Sequence, residues 1–461
     1  MLLIFKQISF YYIELTLNSF GMKKILLSAA LFLSFPIYSQ QADERIGNLI
    51  NQSDWFGLEA TYPTLKDSMQ VDFLKLLSEV MIGNYFNRPK EALAGIEHLL
   101  TNHQAEIGSG NALNLALLTC QIEGNMGNYV VAADRAKNIM EQVKVQGGSP
   151  EAYSALQAVY RFYDKLRETP APKVDKPATD ISIPITIEKV KLPDSIDPKG
   201  WRGTHILIPV TIHGNKYRFI FDTGAGTSYM SEQFARKVGV RIVNDSLMIN
   251  QESEGAAWGK MGTLDSMQIG DITFRNSLIA VAPPNKLDSI MMVDAVLGMD
   301  FICMFDEFRI YPKDCRIVFP ATPGKLPLSG RNLLLSDKTL KLRAESKEES
   351  LQFHFDTGCT TAGLYYNYYN RHKEELETIG KRETRIGGGF NVISKNEILC
   401  LPAFTMTIGG TEVELQNLSV NIDESSFQVT GDDGIIGMDL VNQFHCVVVN
   451  LKDMFLELKR K

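Results

Sequence analysis

Two stretches decide the reading: Phe219-Ile220-Phe221-Asp222-Thr223-Gly224 and Phe353-His354-Phe355-Asp356-Thr357-Gly358. Each is an apolar run ending in Asp-Thr-Gly, and the two are 134 residues apart. One Asp-Thr-Gly is weak evidence, since roughly one chain in ten of this length carries it by chance. Asp at a strand end followed by Thr-Gly also caps ordinary turns. Two copies in matched context point elsewhere. Two carboxylates facing each other across a cleft can divide labour, one ionised to activate water and one protonated to polarise a carbonyl.

The context repeats as well. Val296-Leu297-Gly298-Met299-Asp300-Phe301 recurs as Ile435-Ile436-Gly437-Met438-Asp439-Leu440, 139 residues later. At the same offset Phe305 aligns with Phe444, Ile310 with Val449, Ile317 with Leu456 and Ile269-Gly270 with Ile408-Gly409. A fixed offset this long is one structural unit used twice, not a solenoid. Each unit reads as mostly strand. Ile206 to Ile212 and Tyr217 to Phe221 flank a turn at His213–Lys216, and Leu340 to Ala344 and Leu351 to Phe355 flank Glu345–Ser350. Gly224 and Gly358 suit a sharp turn off the strand where a Cβ is costly. Ser231 to Val238 and Tyr365 to Leu376 read as helices.

These segments resemble the retropepsin and pepsin clan of aspartic proteases over about residues 200–461. The resemblance implies a mainly β, two-lobed acid-protease-like fold. It makes Asp222 and Asp356 the catalytic pair, with both supplied by one chain. It implies that Thr223 and Thr357 hydrogen-bond across the lobes and that Gly224 and Gly358 let the backbones approach. It also implies a closing hairpin in each lobe. Glu252–Gly262, with Trp258 and Gly259, is the candidate in the first, and Ile386–Phe390, with Gly388 and Phe390, in the second. Glycine-rich tips with one aromatic suit a mobile lid, and an ordinary solvent loop is the other reading. The second copy departs from the family pattern, with Cys359 where Ala, Ser or Thr is usual. Ala225 cannot donate a side-chain hydrogen bond to its aspartate and Cys359 donates weakly. A weaker-acid pair follows, with activity expected between mildly acidic and neutral pH.

Other chemistries find little support. The seven histidines are scattered, and no His-Glu-x-x-His, clustered Cys/His spacing or Gly-x-Ser-x-Gly elbow occurs. No metal or organic cofactor is expected. With 44% hydrophobic and 22% charged residues the composition is that of a soluble globular protein, and a net charge of −7 argues against nucleic acid as a partner. Six cysteines is few for 461 residues, so this is no disulfide scaffold; Cys303 and Cys315 flank one hairpin and are a candidate pair.

The N-terminus has the composition of an export signal. Met22-Lys23-Lys24 is a positive start, Ile25–Phe35 a short apolar run and Ser39 a small residue at a cleavage position. The expected organisation is an upstream mis-start over 1–21, a signal peptide over 22–39, a helical-repeat domain over 40–166 and a linker over 167–182, rich in Pro170, Pro172 and Pro177. Two protease lobes follow over 183–325 and 326–461. The place expected is the periplasm or outside the cell, with no stable membrane insertion once the signal is removed. In the helical region Phe73, Leu74, Leu76, Leu77, Val80 and Met81 share a face, as do Leu93, Ile96, Leu99 and Leu100. Gly83–Asn87 resembles Gly124–Asn128, and Asn51–Trp55 is a candidate earlier copy. These units resemble tetratricopeptide-type repeats, with packing and partner binding both open as roles. The reading is an exported, monomeric, single-chain endopeptidase acting on a peptide or protein. The alternative is a periplasmic peptide-binding or adaptor protein that keeps the fold without cleaving.

Overall fold

The structure, a computed structural model, describes residues 37–461 apart from 146, 192–200, 250–256, 284–294, 337, 348, 389–392 and 425–430. Most of the expected signal segment therefore lies outside the described residues. The chain divides into a helical unit ending at Ala171 and a β-rich unit beginning at Pro172. This is the order the sequence predicts, an α-helical region followed by a mainly β one.

The helical unit holds α1 (Ile37–Asn51), α2 (Trp55–Leu65), α3 (Asp72–Tyr85), α4 (Pro89–Asn102), α5 (Gln104–Asn125), α6 (Tyr129–Val145) and α7 (Pro150–Lys165). Starts are set by local chemistry. Asp54 Oδ1 accepts from Gly57 N–H at 2.8 Å, Ser149 Oγ accepts from Ala152 N–H at 3.2 Å, and Pro89 and Pro150 open their helices. One turn shape recurs where α1, α3 and α5 end. Ser53, Asn87 and Gly127 take positive φ (57°, 55° and 82°). The next residue's N–H then reaches back five positions, Asp54 to Leu49 O (2.9 Å), Arg88 to Gly83 O (2.7 Å) and Asn128 to Glu123 O (2.9 Å). The apolar stripes lie inward, with Phe73, Leu74, Leu77, Val80, Met81, Ile96 and Leu99 all buried. Leu76, Leu93 and Leu100, on the same predicted faces, are only partly so.

The β unit is a duplication around a shared seam. In the first half, Tyr229–Ser231 pairs antiparallel with Ala295–Leu297, which runs parallel to Asn215–Phe221, which pairs antiparallel with Trp201–Ile212. In the second, Gly363–Leu364, Gly434–Ile436, Glu349–Phe355 and Thr339–Ser346 repeat that order and those directions. Long hairpins, Ala257–Ile269 with Ile272–Ala282 and Ile393–Ile408 with Thr411–Asn421, extend the sheets. A third sheet draws on both halves, in the order Ile181–Pro184, Arg316–Phe319, Glu307–Tyr311, Cys446–Asn450, Phe455–Lys459. At its centre Arg309 pairs with Val448, its own counterpart at the 139-residue offset. An element that pairs antiparallel with its own copy marks a local two-fold axis. Phenylalanines fill the core beside this axis, with the Phe221 and Phe308 rings edge-to-face at 5.1 Å and both side chains fully buried. Each such burial is worth roughly 1.5–3 kcal/mol.

Three details differ from the sequence reading. The segment 167–182, read from its prolines as a linker, contributes two strands: Lys173–Asp175 pairs with Thr273–Arg275, and Ile181–Pro184 pairs with Arg316–Phe319. Asp175 and Asp180 tie it further, to Arg275 at 2.7 Å and to Ala321 N–H at 2.8 Å. Pro170, Pro172 and Pro177 all fall outside the paired residues, so they remove no ladder hydrogen bond. The helix expected over Tyr365–Leu376 is two, Tyr366–Arg371 and Lys373–Ile379, broken at His372. Cys303 and Cys315 are free thiols rather than a disulfide.

Candidate active site

Each aspartate sits at the end of a strand whose neighbour holds it in place. Asp222 N–H donates to Leu297 O at 3.0 Å, and Asp356 N–H donates to Ile436 O at 2.9 Å. The apolar-apolar-Gly strands thus clamp the two turns from behind in the same way. Gly298 and Gly437 are required at that crossing. A Cβ on Gly298 would lie 2.5 Å from Ala225 O, and one on Gly437 would lie 2.6 Å from Cys359 O.

The two turns meet across the axis through a closed ring of hydrogen bonds. Thr223 Oγ1 accepts from Thr357 N–H at 3.0 Å and donates to Phe355 O at 2.9 Å. Thr357 Oγ1 accepts from Thr223 N–H at 3.0 Å and donates to Phe221 O at 2.8 Å. Both threonines are wholly buried. Every polar group in the ring has a partner from the other half, so the ring fixes the separation of the carboxyls.

The glycines report that separation directly. A Cβ on Gly224 would lie 2.3 Å from Asp356 Cγ, and a Cβ on Gly358 would lie 2.5 Å from Asp222 Cγ. Each carboxyl therefore lies over the other half's glycine, and the two face each other. Asp222 and Asp356 are 0% and 1% exposed. Asp222 Oδ1 accepts from the N–H groups of Gly224 (2.8 Å) and Ala225 (3.1 Å), and Asp356 Oδ1 from that of Gly358 (2.7 Å). Burial first, then the charge and hydrogen bond of the facing Asp356 carboxyl, push Asp222 well above the usual carboxylate range; its two amide bonds oppose the shift. Two like charges this close do not both ionise, so the pair holds a proton as a unit.

A further pair of carboxylates supports the turns. Asp300 Oδ1 accepts from Ser228 Oγ (2.6 Å) and Ser228 N–H (2.9 Å), and Ser228 Oγ accepts from Gly298 N–H (2.7 Å). In the second half Asp439 Oδ2 accepts from Ala362 N–H at 2.8 Å. Burial pushes both Asp300 and Asp439 up to about 6, against the pull of these hydrogen bonds. Sequence reasoning quoted both residues as part of a repeat but gave them no role. The signal was available: a charged residue recurring inside an apolar repeat has a polar partner to meet.

The lid candidates are only partly within the described residues. Trp258 and Gly259 lie in the strand Ala257–Ile269, opposite Met248 and Leu247, so 257–262 is paired strand rather than loop. Gly388 ends the strand Lys381–Gly388, opposite Ile393, while Phe390 lies outside the described residues. Antiparallel strand pairs flank both expected positions, and residues 252–256 and 389–390 of the two candidates lie outside the described residues. Among the described residues no group of three or more His, Cys, Asp or Glu is arranged to hold a metal ion.

Residues 208–303 match the family described as "gag-polyprotein putative aspartyl protease". That span holds the first Asp-Thr-Gly and its apolar-apolar-Gly strand, and it stops before the second copy. No curated protein matches the chain. Among solved structures it is similar to a retropepsin-like aspartic protease from Rickettsia conorii, at 24% identity over 32% of this chain and 92% of that one, with a TM-score of 0.20. Residues 208–303, then, are a segment similar to a putative aspartyl protease family.

Proposed function

We propose that the protein is an aspartic endopeptidase whose site is the Asp222–Asp356 pair, complete within one chain. The observation that carries the reading is the facing of two buried carboxyls across a ring of reciprocal threonine hydrogen bonds. A fold kept only for binding has no need to hold two carboxyls where each disfavours the other's charge, which costs stability.

In the proposed reaction a water lies between the two carboxyls. The ionised one takes its proton as its oxygen attacks the peptide carbonyl carbon. The protonated one donates to the carbonyl oxygen, giving a neutral tetrahedral diol. Proton transfer to the amide nitrogen and loss of one diol proton break the C–N bond, releasing an amine and a carboxylic acid. The amide donors of Gly224, Ala225 and Gly358 hold each Oδ1 in place, so no reorganisation is needed as charge moves.

Export through the segment beginning at Met22, and partner binding by the helical unit, are further parts of this proposal and rest on sequence alone. The test is exposure of a proteome-derived peptide library to the purified chain and to Asp356→Asn. New termini with the first and none with the second support the reading. No cleavage by the wild-type chain between pH 4 and 8 would favour the peptide-binding alternative.

A further inference from the structure

The two halves are joined by one strap, residues 320–332, which runs from the strand Arg316–Phe319 to the strand Leu333–Ser336 with no helix or strand of its own. All the cysteines are free, so no disulfide duplicates that link. The ends of the strap are fastened. Pro320 O accepts from Lys176 Nζ at 2.8 Å, and Gly324 N–H donates at 2.6 Å to Oε2 of Glu307, a buried residue of the third sheet. At the other end the Asn332 side chain bonds both the N–H and the C=O of Leu456, at 2.7 and 3.0 Å, on the far edge of that sheet.

The middle is not fastened. Among the described residues, 325–329 make one hydrogen bond, Pro327 O accepting from Gly330 N–H at 3.0 Å. Leu326 is 39% exposed and Leu328 109%, more than any other large apolar side chain among the described residues. Lys325 and Ser329 are exposed as well. An endopeptidase takes its target extended, with main-chain groups free to pair and side chains free to enter the cleft. In the strands those groups are already committed to ladders. In the strap, opening breaks one turn bond, and two apolar side chains already in water gain by leaving it. The Leu326–Pro327 bond has no amide N–H. Leu328–Ser329 is an ordinary amide with the outermost side chain on its acyl side.

We propose that Leu328–Ser329 is a processing site, hydrolysed by a second copy of this chain. This rests on the proteolytic reading and gives it one defined substrate. The Leu328 carbonyl carbon takes the oxygen of a water, the C–N bond breaks, and a proton goes to the Ser329 nitrogen, leaving a carboxylic acid and an amine. Both ends of the stretch are held on its own third sheet, at Gly324 and Asn332, so it is presented outward to another molecule's cleft. The cut does not part the halves. Arg309 still pairs with Val448 and the threonines still reach across, so the product is a two-chain protein with one Asp-Thr-Gly on each chain.

The test uses the full chain bearing Asp356→Asn and a C-terminal tag as substrate, with a trace of untagged wild-type chain as enzyme. Intact mass and terminal sequencing locate the cut, size exclusion reads whether the pieces stay together, and the proteome-derived library is run alongside. The expected result is one cut between Leu328 and Ser329 in the tagged chain, at a rate proportional to the wild-type concentration. Both pieces should elute together and separate only in urea. Leu328→Asp in the tagged substrate should slow the cut about tenfold or more, because an apolar side chain no longer enters the cleft. In the wild-type enzyme the same substitution, on a fully exposed residue, should leave library cleavage as it was. A strap left whole while library peptides are cleaved, or a Leu328→Asp substrate cut as fast, overturns the inference and leaves proteolysis standing. A cut that forms equally without the wild-type chain also overturns it. Strap and library both left whole would remove the proteolytic reading together with this one.

Discussion

The two Asp-Thr-Gly turns agree in backbone and differ in side-chain trim. In both, an apolar-apolar-Gly strand crosses behind, a threonine reaches over, and a glycine lies under the opposite carboxyl. Around that frame the halves diverge. Ala225 N–H donates to its aspartate's side chain, whereas Cys359 N–H donates to the Asp356 main-chain carbonyl at 3.1 Å. The Cys359 thiol contacts Thr361 O at 3.2 Å. Ser228 links Gly298 to Asp300, but its counterpart Ala362 has no hydroxyl and offers Asp439 only its N–H. The closely approached glycines and the reciprocal threonines occur in both halves, whereas the hydroxyl that accepts from the crossing glycine's N–H occurs only in the first.

That difference orders the effects of substitution. The largest belong to the shared frame. Gly224→Ala would place a methyl 2.3 Å from Asp356 Cγ, and Gly358→Ala one 2.5 Å from Asp222 Cγ, so a carboxyl must move. A displacement near 1 Å costs about 10²-fold in rate. Each variant is expected to lose at least that in kcat/KM, with stability lowered by about 1–3 kcal/mol in urea titration. Near-normal activity in either would show that the carboxyls are not held as described.

The threonine ring comes next. Thr223→Val leaves Phe355 O and Thr357 N–H buried without their partner, and Thr357→Val does the same to Phe221 O and Thr223 N–H. At about 1–3 kcal/mol per orphaned group, each variant should lose roughly 2–6 kcal/mol. The two losses should be less than additive, because either substitution opens the same ring. Full additivity in the double variant would mean two independent turns.

Titration tests the supporting carboxylates. Burial holds Asp300 and Asp439 at about 6 against an ordinary 3.8, and it raises Asp222 too. Groups with raised folded-state values bind protons more readily in the folded chain. Stability should therefore be greatest below the ordinary value and fall as pH rises from about 4 to 6, by on the order of 1–3 kcal/mol for each of Asp300 and Asp439. Asp300→Asn keeps an acceptor oxygen for Ser228 and cannot ionise, so it should flatten part of that slope. A wild-type chain whose stability rises across this window would contradict the buried-carboxyl account.

The smallest effect is expected where the halves already differ. Ser228→Ala makes the first turn like the second. It leaves Gly298 N–H without its acceptor and should cost about 1–2 kcal/mol with the fold intact. A loss as large as that of Thr223→Val would place Ser228 in the shared frame.

Much of this site was legible in the sequence because its constraints act on backbone, and only Gly, Thr and Asp satisfy them. Asp222, Asp356, the threonines and both apolar-apolar-Gly strands could be named from two offsets. The Asp300 and Asp439 contacts were not, although the residues repeat, because sequence does not say which amide a buried carboxylate meets. The strands Lys173–Asp175 and Ile181–Pro184 hide in a proline-rich stretch. They are short, and their partners lie about a hundred residues on, so no local pattern marks them.

The claim that Asp222 and Asp356 work as one unit is tested most directly by a double-mutant cycle in kcat/KM on a peptide found by the cleavage screen. Asp222→Asn and Asp356→Asn should each lower it by ~10⁴-fold or more, and the double variant should be barely worse than either. Substantial activity in one single variant, or a double variant worse by the product of the two losses, would contradict a shared carboxyl pair.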